Sequence, residues 1–434
     1  MYMKVAATGL TMLAALSSYA APPDTTSLAF KEQVFLHDMR ERFLLDGQAL
    51  CKLKLPNDTR PFVAYNMPDN AYMTGMYLGA LSMKYAVTKD PEVRRQAVES
   101  IGALHLLCTV SGKPGLLSRA AVKVGAPFED DGDWHESADK QYKWRDDVSC
   151  DQMTGVVYGF LLAYDLVADD NEKALIRADV KALVDHVVSN NMQIVDIDGQ
   201  PTQWGHYEAD YVFKREPMNA LLLLQHLKTA AYMTGDPAYD ALYREWAVSN
   251  KYAERAIVAR NMAPPRRTNH SDDVLLYLAY YPLLQLEKDP ELLETYRKSF
   301  ERSYQGADGF PGFAAQGNPL YAFAQKKFFD DPAGVDAGIE FLRLLPFGMK
   351  WQPNTIAQYE KQFGFTYSAT PVTPEPVAGK VVPIDRRPMA WSAFVQNPYQ
   401  TDSNPPQTAS EYNGHDYLCG YWLGRYIGVI SDAM

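Results

Sequence analysis

Apolar residues recur along this chain at helical spacing, and blocks of polar residues interrupt them at regular places. Over 274–286, Val274, Leu275, Leu278, Tyr281 and Leu284 mark one face of a helix, because residues three or four apart share a face. Directly before it stands Asn269-His270-Ser271-Asp272-Asp273, which packs an amide, an imidazole, a hydroxyl and two carboxyls into one short stretch. The polar cluster therefore sits at a helix N-terminus, where Ser271 or Asp272 can accept bonds from the unpaired first-turn N–H groups. The same arrangement occurs twice earlier. Asp69-Asn70-Ala71-Tyr72-Met73-Thr74-Gly75 leads into 76–85, and Asp151-Gln152-Met153-Thr154-Gly155 leads into 156–164. The shared Met-Thr-Gly, with Gly79 and Gly159 at matching places further on, reads as a degenerate internal repeat. Three helices with acidic caps are expected, and if they are parallel neighbours their carboxylates gather on one rim.

A second punctuation alternates with the first. Asp90-Pro91 opens a helix over 92–110, Asp169-Asp170-Asn171-Glu172 precedes 173–189, and Asp236-Pro237 precedes 238–250. Asp289-Pro290 precedes 292–304, and Asp331-Pro332 precedes 334–344. Each time an apolar helix stops and a more amphipathic one begins, so the repeating unit is a helical hairpin. The apolar member, such as 221–233, should line the inside, and the charged member should face out. With a first helix over 28–50 and a terminal one over 417–430, the count is about twelve. That predicts an all-α fold, an (α/α)6-type toroid of helical hairpins with few short strands. One strand hairpin is expected near 192–198 at Gly199, and 371–400 reads as a Pro-rich connector before the closing helix. Residues 21–434 would form a single domain.

Composition narrows the function class. Apolar residues make up 47% and aromatic residues 12% of the chain, enough for a large core. A net charge of −11, with no basic run longer than a pair, argues against nucleic acid as a partner. Lys4, the apolar stretch 5–16 and the small residues of Ser18-Tyr19-Ala20 fit a secretory signal over 1–20, which would make the protein periplasmic or secreted. Nothing later resembles a membrane-inserting segment. Cys51, Cys108, Cys150 and Cys419 could pair in three ways if exported, or remain isolated buried thiols, and their spacing forms no zinc pattern. No phosphate loop, dinucleotide fingerprint or nucleophile elbow occurs, and no cofactor or metal is expected. The acidic loop Glu129-Asp130-Asp131-Gly132-Asp133 could attract calcium but lacks the spacing of a dedicated loop and reads as solvated.

Segments 69–85, 150–169, 269–287 and Asp196-Ile197-Asp198-Gly199-Gln200-Pro201-Thr202-Gln203-Trp204-Gly205 resemble the bacterial α/α-toroid carbohydrate-active proteins. That group holds unsaturated-glucuronyl hydrolases, other glycoside hydrolases and polysaccharide lyases, and no one of its families is matched motif by motif. The resemblance implies a carbohydrate substrate. Toroids host many chemistries, so the reaction must be argued from residues.

Glycoside hydrolysis needs one protonated and one ionised carboxyl facing each other across the bond. Asp69, Asp151, Asp272 and Asp273 are the candidates, with His270 as a further catalytic residue. Each aspartate could instead serve only as a helix cap. Capping lowers a carboxyl pKa, which suits a base, so the general acid must sit in a drier place. Adjacent Asp272 and Asp273 point in different directions on a helix and can divide the work. A rival mechanism is uronide β-elimination. In toroid lyases of the resembling group, Asn or Arg, His and Tyr carry it, and Asn269, His270 and Tyr207 or Tyr211 would fill those roles here. Gln203-Trp204-Gly205-His206-Tyr207 offers a flat ring for a sugar face and polar groups for its hydroxyls. Trp144, Trp351, Trp391 and Trp422 widen that aromatic supply. Arg119 and Arg386, the latter beside Arg387, are candidate clamps for a uronate carboxylate. A third reading is a non-catalytic glycan-binding protein whose acids only cap helices.

Overall fold

The computed structural model describes residues 23–260, 270–307, 309–347, 351–367, 380–387, 394, 398–399 and 410–434. Its helices start where the punctuation places them. Asp90, Asp236 and Asp289 each accept a bond from the second N–H of the helix that the following proline opens, and Asp169 with Glu172 forms a reciprocal capping box.

In chain order the helices among the described residues are α1 (Leu28–Arg42), α2 (Asn70–Thr88), α3 (Pro91–Thr109), α4 (Cys150–Leu166), α5 (Asp170–Ser189), α6 (Ala209–Lys214), α7 (Met218–Thr234) and α8 (Pro237–Arg244). There follow α9 (Tyr252–Ala256), α10 (His270–Leu286), α11 (Pro290–Gln305), α12 (Pro319–Phe329), α13 (Val335–Leu344), α14 (Pro353–Phe363) and α15 (His415–Tyr426). The apolar members α2, α4, α7, α10, α12 and α15 pack in that order, and α15 packs back on α2, which closes an inner ring. The outer members α3, α5, α8, α11 and α13 each pack on the inner helix before them. This is the α/α toroid.

The sixth hairpin joins distant parts of the chain. α1 packs on α15, where the Tyr417 hydroxyl donates to the Leu28 carbonyl at 2.7 Å and Trp422 Nε1 donates to Glu32 Oε1 at 3.0 Å. The ring interior is filled rather than open. Tyr158 of α4 meets Tyr277 and Tyr281 of α10 edge to face or tilted, with ring centroids about 6 Å apart.

Two expectations about local structure are corrected. The helix predicted over 28–50 ends at Arg42, and Leu44–Leu45 turns back onto Gln48–Ala49. Asp46 and Gly47 form the turn at φ 48° and 81°, a left-handed pair that suits a two-residue hairpin loop and interrupts the apolar pattern. Strands are also more numerous than one hairpin. Lys52–Lys54 lies between Ala64–Asn66 and Ser410–Tyr412, and Tyr142–Arg145 lies between Ala120–Lys123 and Trp134–Glu136, all antiparallel. The hairpin expected at Gly199 is present, pairing Gln193–Val195 with Pro201–His206.

These small sheets sit over the N-terminal ends of the inner helices. Cys51 N–H donates to Asn70 Oδ1 at 3.1 Å, and Ala71 N–H donates to the Arg119 carbonyl at 2.9 Å. The acidic loop fastens them together. Arg145 pairs with Asp130 at 2.8 Å, and Glu129 pairs with Arg60 and Lys54. All four cysteines are buried and free. No described helix is long and apolar enough to cross a membrane. Residues 1–22 and most of 371–400 lie outside the described residues, and with them the signal over 1–20 and Trp391.

Candidate active site

The site begins with the closest helix contact in the ring. A Cβ added at Gly75 would stand 2.0 Å from the Gly155 carbonyl oxygen, and one at Gly159 would stand 2.4 Å from the Gly75 oxygen. The repeated Met-Thr-Gly is therefore the seam along which α2 and α4 touch, backbone to backbone. Such closeness brings the first turns of the two helices, and with them Asp69 and Asp151, side by side.

Asp69 occupies the position before α2, yet its side chain caps nothing. Its Oδ1 accepts from Gln152 Nε2 at 3.0 Å and lies 3.5 Å from Arg119 Nη1, with 40% of the side chain exposed. Asp151 lies inside the first turn of α4, whose cap position belongs to Ser149. Burial, then the charge of Asp69, push the Asp151 carboxyl up to about 6, while Arg119 pulls the other way. The expectation that all three helices carry capping aspartates is thus corrected for both residues. In α2 the peptide N–H groups that a cap would satisfy are met from neighbouring elements.

Asp272 lies in the first turn of α10. Its carboxyl is raised well above the usual aspartate range by burial, and further by Asp151, Glu216 and Asp273. Asp273 turns the other way, into the protein. It is buried against Arg260 Nε at 3.2 Å and His270 Nδ1 at 3.0 Å, and its carbonyl accepts from the Tyr321 hydroxyl. Asp69, Asp151 and Asp272 thus meet on one rim, and Glu216, just before α7, stands near Asp272. α15 adds Asp416. Tyr72, in the first turn of α2, is raised by burial and then by Asp416, Asp151 and Asp69 in turn, so its side chain lies among all three. Five of the six inner helices therefore bring a carboxyl to the same end. Their N-terminal dipoles partly offset the crowding of negative charge.

The other candidates are distributed as follows. Arg119 donates from Nε to the Asp147 carbonyl at 2.6 Å and from Nη1 to the Pro68 carbonyl at 3.0 Å, so it steadies the rim's loops besides meeting Asp69. Trp204 lies 53% exposed on the strand Pro201–His206, whose end is held to the α7 first turn by Asn219 Nδ2 at 2.7 Å from the His206 carbonyl. His206 stacks on Tyr211 with centroids 4.8 Å apart and pairs with Glu208 at 3.0 Å. Tyr207 is a correction: it is fully buried, with its hydroxyl 2.9 Å from His226 Nε2, inside the protein rather than facing a ligand. His270 is buried in its pair with Asp273. Arg386 is exposed, in a short turn over Ile384–Arg386. Asn269 lies outside the described residues.

Sequence reasoning missed Asp416, Glu216, Gln152 and Tyr72. His415 Nε2 lies 3.1 Å from Asp416 Oδ1, with both side chains buried. Asn413-Gly414-His415-Asp416 before an apolar helix repeats the polar pattern of the other rim segments and could have been found by it. Among the described residues, no group of three or more His, Cys, Asp and Glu side chains is arranged to hold a metal ion.

Chemically, the rim sets two carboxyls side by side, Asp272 raised well above the usual aspartate range and Asp151 raised to about 6. Two neighbouring acids whose surroundings separate their ionisation make an acid/base pair. No protein-family model matches the chain, and no curated protein matches it. Among solved structures it is similar to an unsaturated glucuronyl hydrolase specific for heparin, at 12% identity over 93% of this chain and 96% of that one, with a TM-score of 0.41. It is also similar to a sugar epimerase from a ruminal bacterium, at 11% identity over 92% and 99% of the two chains, TM-score 0.44. A third is a D-mannose isomerase, at 11% identity over 95% and 100%, TM-score 0.44. These likenesses assign no chemistry to the chain.

Proposed function

We propose that this chain is an exported glycoside hydrolase acting on an oligosaccharide, with uronic-acid-containing glycans as the first substrates to try. The observation that carries the reading is the meeting of Asp69, Asp151 and Asp272 on one rim, with Asp272 raised well above the usual aspartate range and Asp151 raised to about 6. Asp272, whose carboxyl is raised by burial and by the acids around it, gives its proton to the leaving glycosidic oxygen. Asp151, ionised above about pH 6, serves the anomeric carbon, either by taking a proton from water or by attacking directly. Asp69 adds negative charge next to the positive character that develops on the sugar ring. Trp204 supplies an exposed ring for a sugar face near the same end of the toroid.

The β-elimination reading draws less support, because Tyr207 is bonded to His226 in the core and His270 to Asp273. The test is incubation with a panel of neutral and uronic-acid-containing oligosaccharides. Hydrolysis releases reducing ends without new ultraviolet absorbance, and Asp151→Asn and Asp272→Asn abolish it. A product with a conjugated double bond would replace the hydrolase with a lyase. Binding without turnover would leave a glycan-binding protein. Export is tested by the N-terminus of the mature protein, which should begin at Ala21.

A further inference from the structure

We infer that Gln152 is a positioning residue of this rim: its side-chain amide caps α2 from the neighbouring helix α4, and so leaves the Asp69 carboxylate turned toward Asp151 instead of toward its own helix. The inference rests on the rim being the active site, as proposed above.

An aspartate just before a helix ordinarily accepts the second or third N–H of that helix. Asp90, Asp169, Asp236 and Asp289 do so in this chain, with extended backbone. Asp69 does not, and its backbone is at φ −132°, ψ 27°. The donors it would have met are satisfied from outside. The Ala71 N–H goes to the Arg119 carbonyl at 2.9 Å, and the Tyr72 N–H goes to Gln152 Oε1 at 3.1 Å. The other end of the same amide, Nε2, donates to Asp69 Oδ1 at 3.0 Å. Gln152 is completely buried, so neither end of its amide has water as an alternative partner.

Only a primary amide fits both tasks. It must accept from a peptide N–H and donate to a carboxylate in one rigid plane. Glutamate would keep the acceptor and set a negative charge against Asp69, and methionine would keep the bulk and lose both bonds. The arrangement also needs the glycine seam. With a side chain at Gly75 or Gly155 the helices would part, and an amide on α4 would no longer reach the first turn of α2. The charged and titratable groups around Asp69 and Asp151 include Cys51, Tyr72, Arg119, Cys150, Tyr207, Asp272, Tyr412 and Asp416.

The experiment uses the full chain as Gln152→Glu and Gln152→Met. Asp151 is followed by carboxyl ¹³C NMR, its signal assigned by its loss in Asp151→Asn. In Gln152→Glu the Asp151 midpoint should rise by about one pH unit, since like charge disfavours ionisation. The kcat should fall about tenfold or more with KM within about threefold, because the substrate's binding surface is unchanged. In Gln152→Met a crystal structure should show the Asp69 carboxylate swung back to accept from the Tyr72 N–H. An unmoved Asp151 midpoint in Gln152→Glu, or an Asp69 that stays in place in Gln152→Met, would overturn the inference. If the glutamate variant does not fold, the methionine structure decides alone. If no protein, wild type included, cleaves any glycan while the midpoint moves and Asp69 swings, the hydrolase reading fails and the positioning role stands.

Discussion

Arg260 Nε lies 3.2 Å from Asp273 Oδ1, and each side chain is only 3% exposed. Arg260 also reaches the Ser303 and Pro311 carbonyls and lies over the Phe313 ring at 4.0 Å. The two neighbouring aspartates of α10 have therefore separated: Asp273 ties the helix into the core, and Asp272 faces the carboxyl rim.

From that division follows the first prediction. Asp273→Asn or Arg260→Leu strands one charge of a buried pair and should destabilise the fold by about 3–5 kcal/mol. Asp272→Asn should be more stable than wild type at neutral pH, because a carboxyl raised by burial costs the folded state free energy there, and should remove turnover. Chemical denaturation of the three variants beside activity measurements checks this. An Asp273→Asn protein as stable as wild type would show that the pair is not structural.

Asp151→Asn should behave in the opposite way. A carboxyl raised to about 6 costs the folded state free energy whenever it is ionised. That cost is fully present above about pH 6 and absent below the ordinary aspartate range, where the carboxyl is protonated in both states. The inactive asparagine variant should therefore be more stable than wild type by about 2 kcal/mol at neutral pH, allowing for partial exposure. The advantage should vanish below about pH 4. Thermal melts across that range test the sign, and a variant less stable at neutral pH contradicts it.

Turnover should show an acidic limb with a midpoint near pH 6, because Asp151 must lose its proton, and an alkaline limb set by Asp272, which must keep one. Removing the charge at Asp69 relieves Asp151, so Asp69→Asn should move the acidic limb to lower pH. The pH profiles of kcat/KM for wild type and Asp69→Asn measure it, because they report the ionisations of the free enzyme. A shift to higher pH in Asp69→Asn would mean that Asp69 does not act on Asp151 by its charge.

The glycine seam admits a comparison within one protein. Gly155→Ala places a methyl 2.7 Å from Tyr72 backbone atoms and should cost about 3 kcal/mol or more, with loss of activity as α2 and α4 part. Gly102, exposed on α3, has nothing within 4 Å of an added Cβ, and Gly102→Ala should stabilise by about 0.5–1 kcal/mol. Equal effects at both positions would remove the seam from the account.

Much of this molecule is written in local pattern. Helical periodicity, Asp-Pro starts and the alternation of apolar with charged helices specify paired helices around an inner layer, because capping and amphipathicity act within a few residues. The polar clusters at three apolar helices also pointed to the end of the ring where carboxyls meet. Tertiary structure decided the rest. Only the closed ring pairs α1 with α15 and brings Asp416 beside Tyr72. Only the approach of α2 to α4 turned a sequence repeat into a contact surface and gave the capping of Asp69's helix to Gln152. Whether an aspartate caps, pairs or holds a proton depends on the charges and the dryness that distant segments bring to it, and local spacing contains neither.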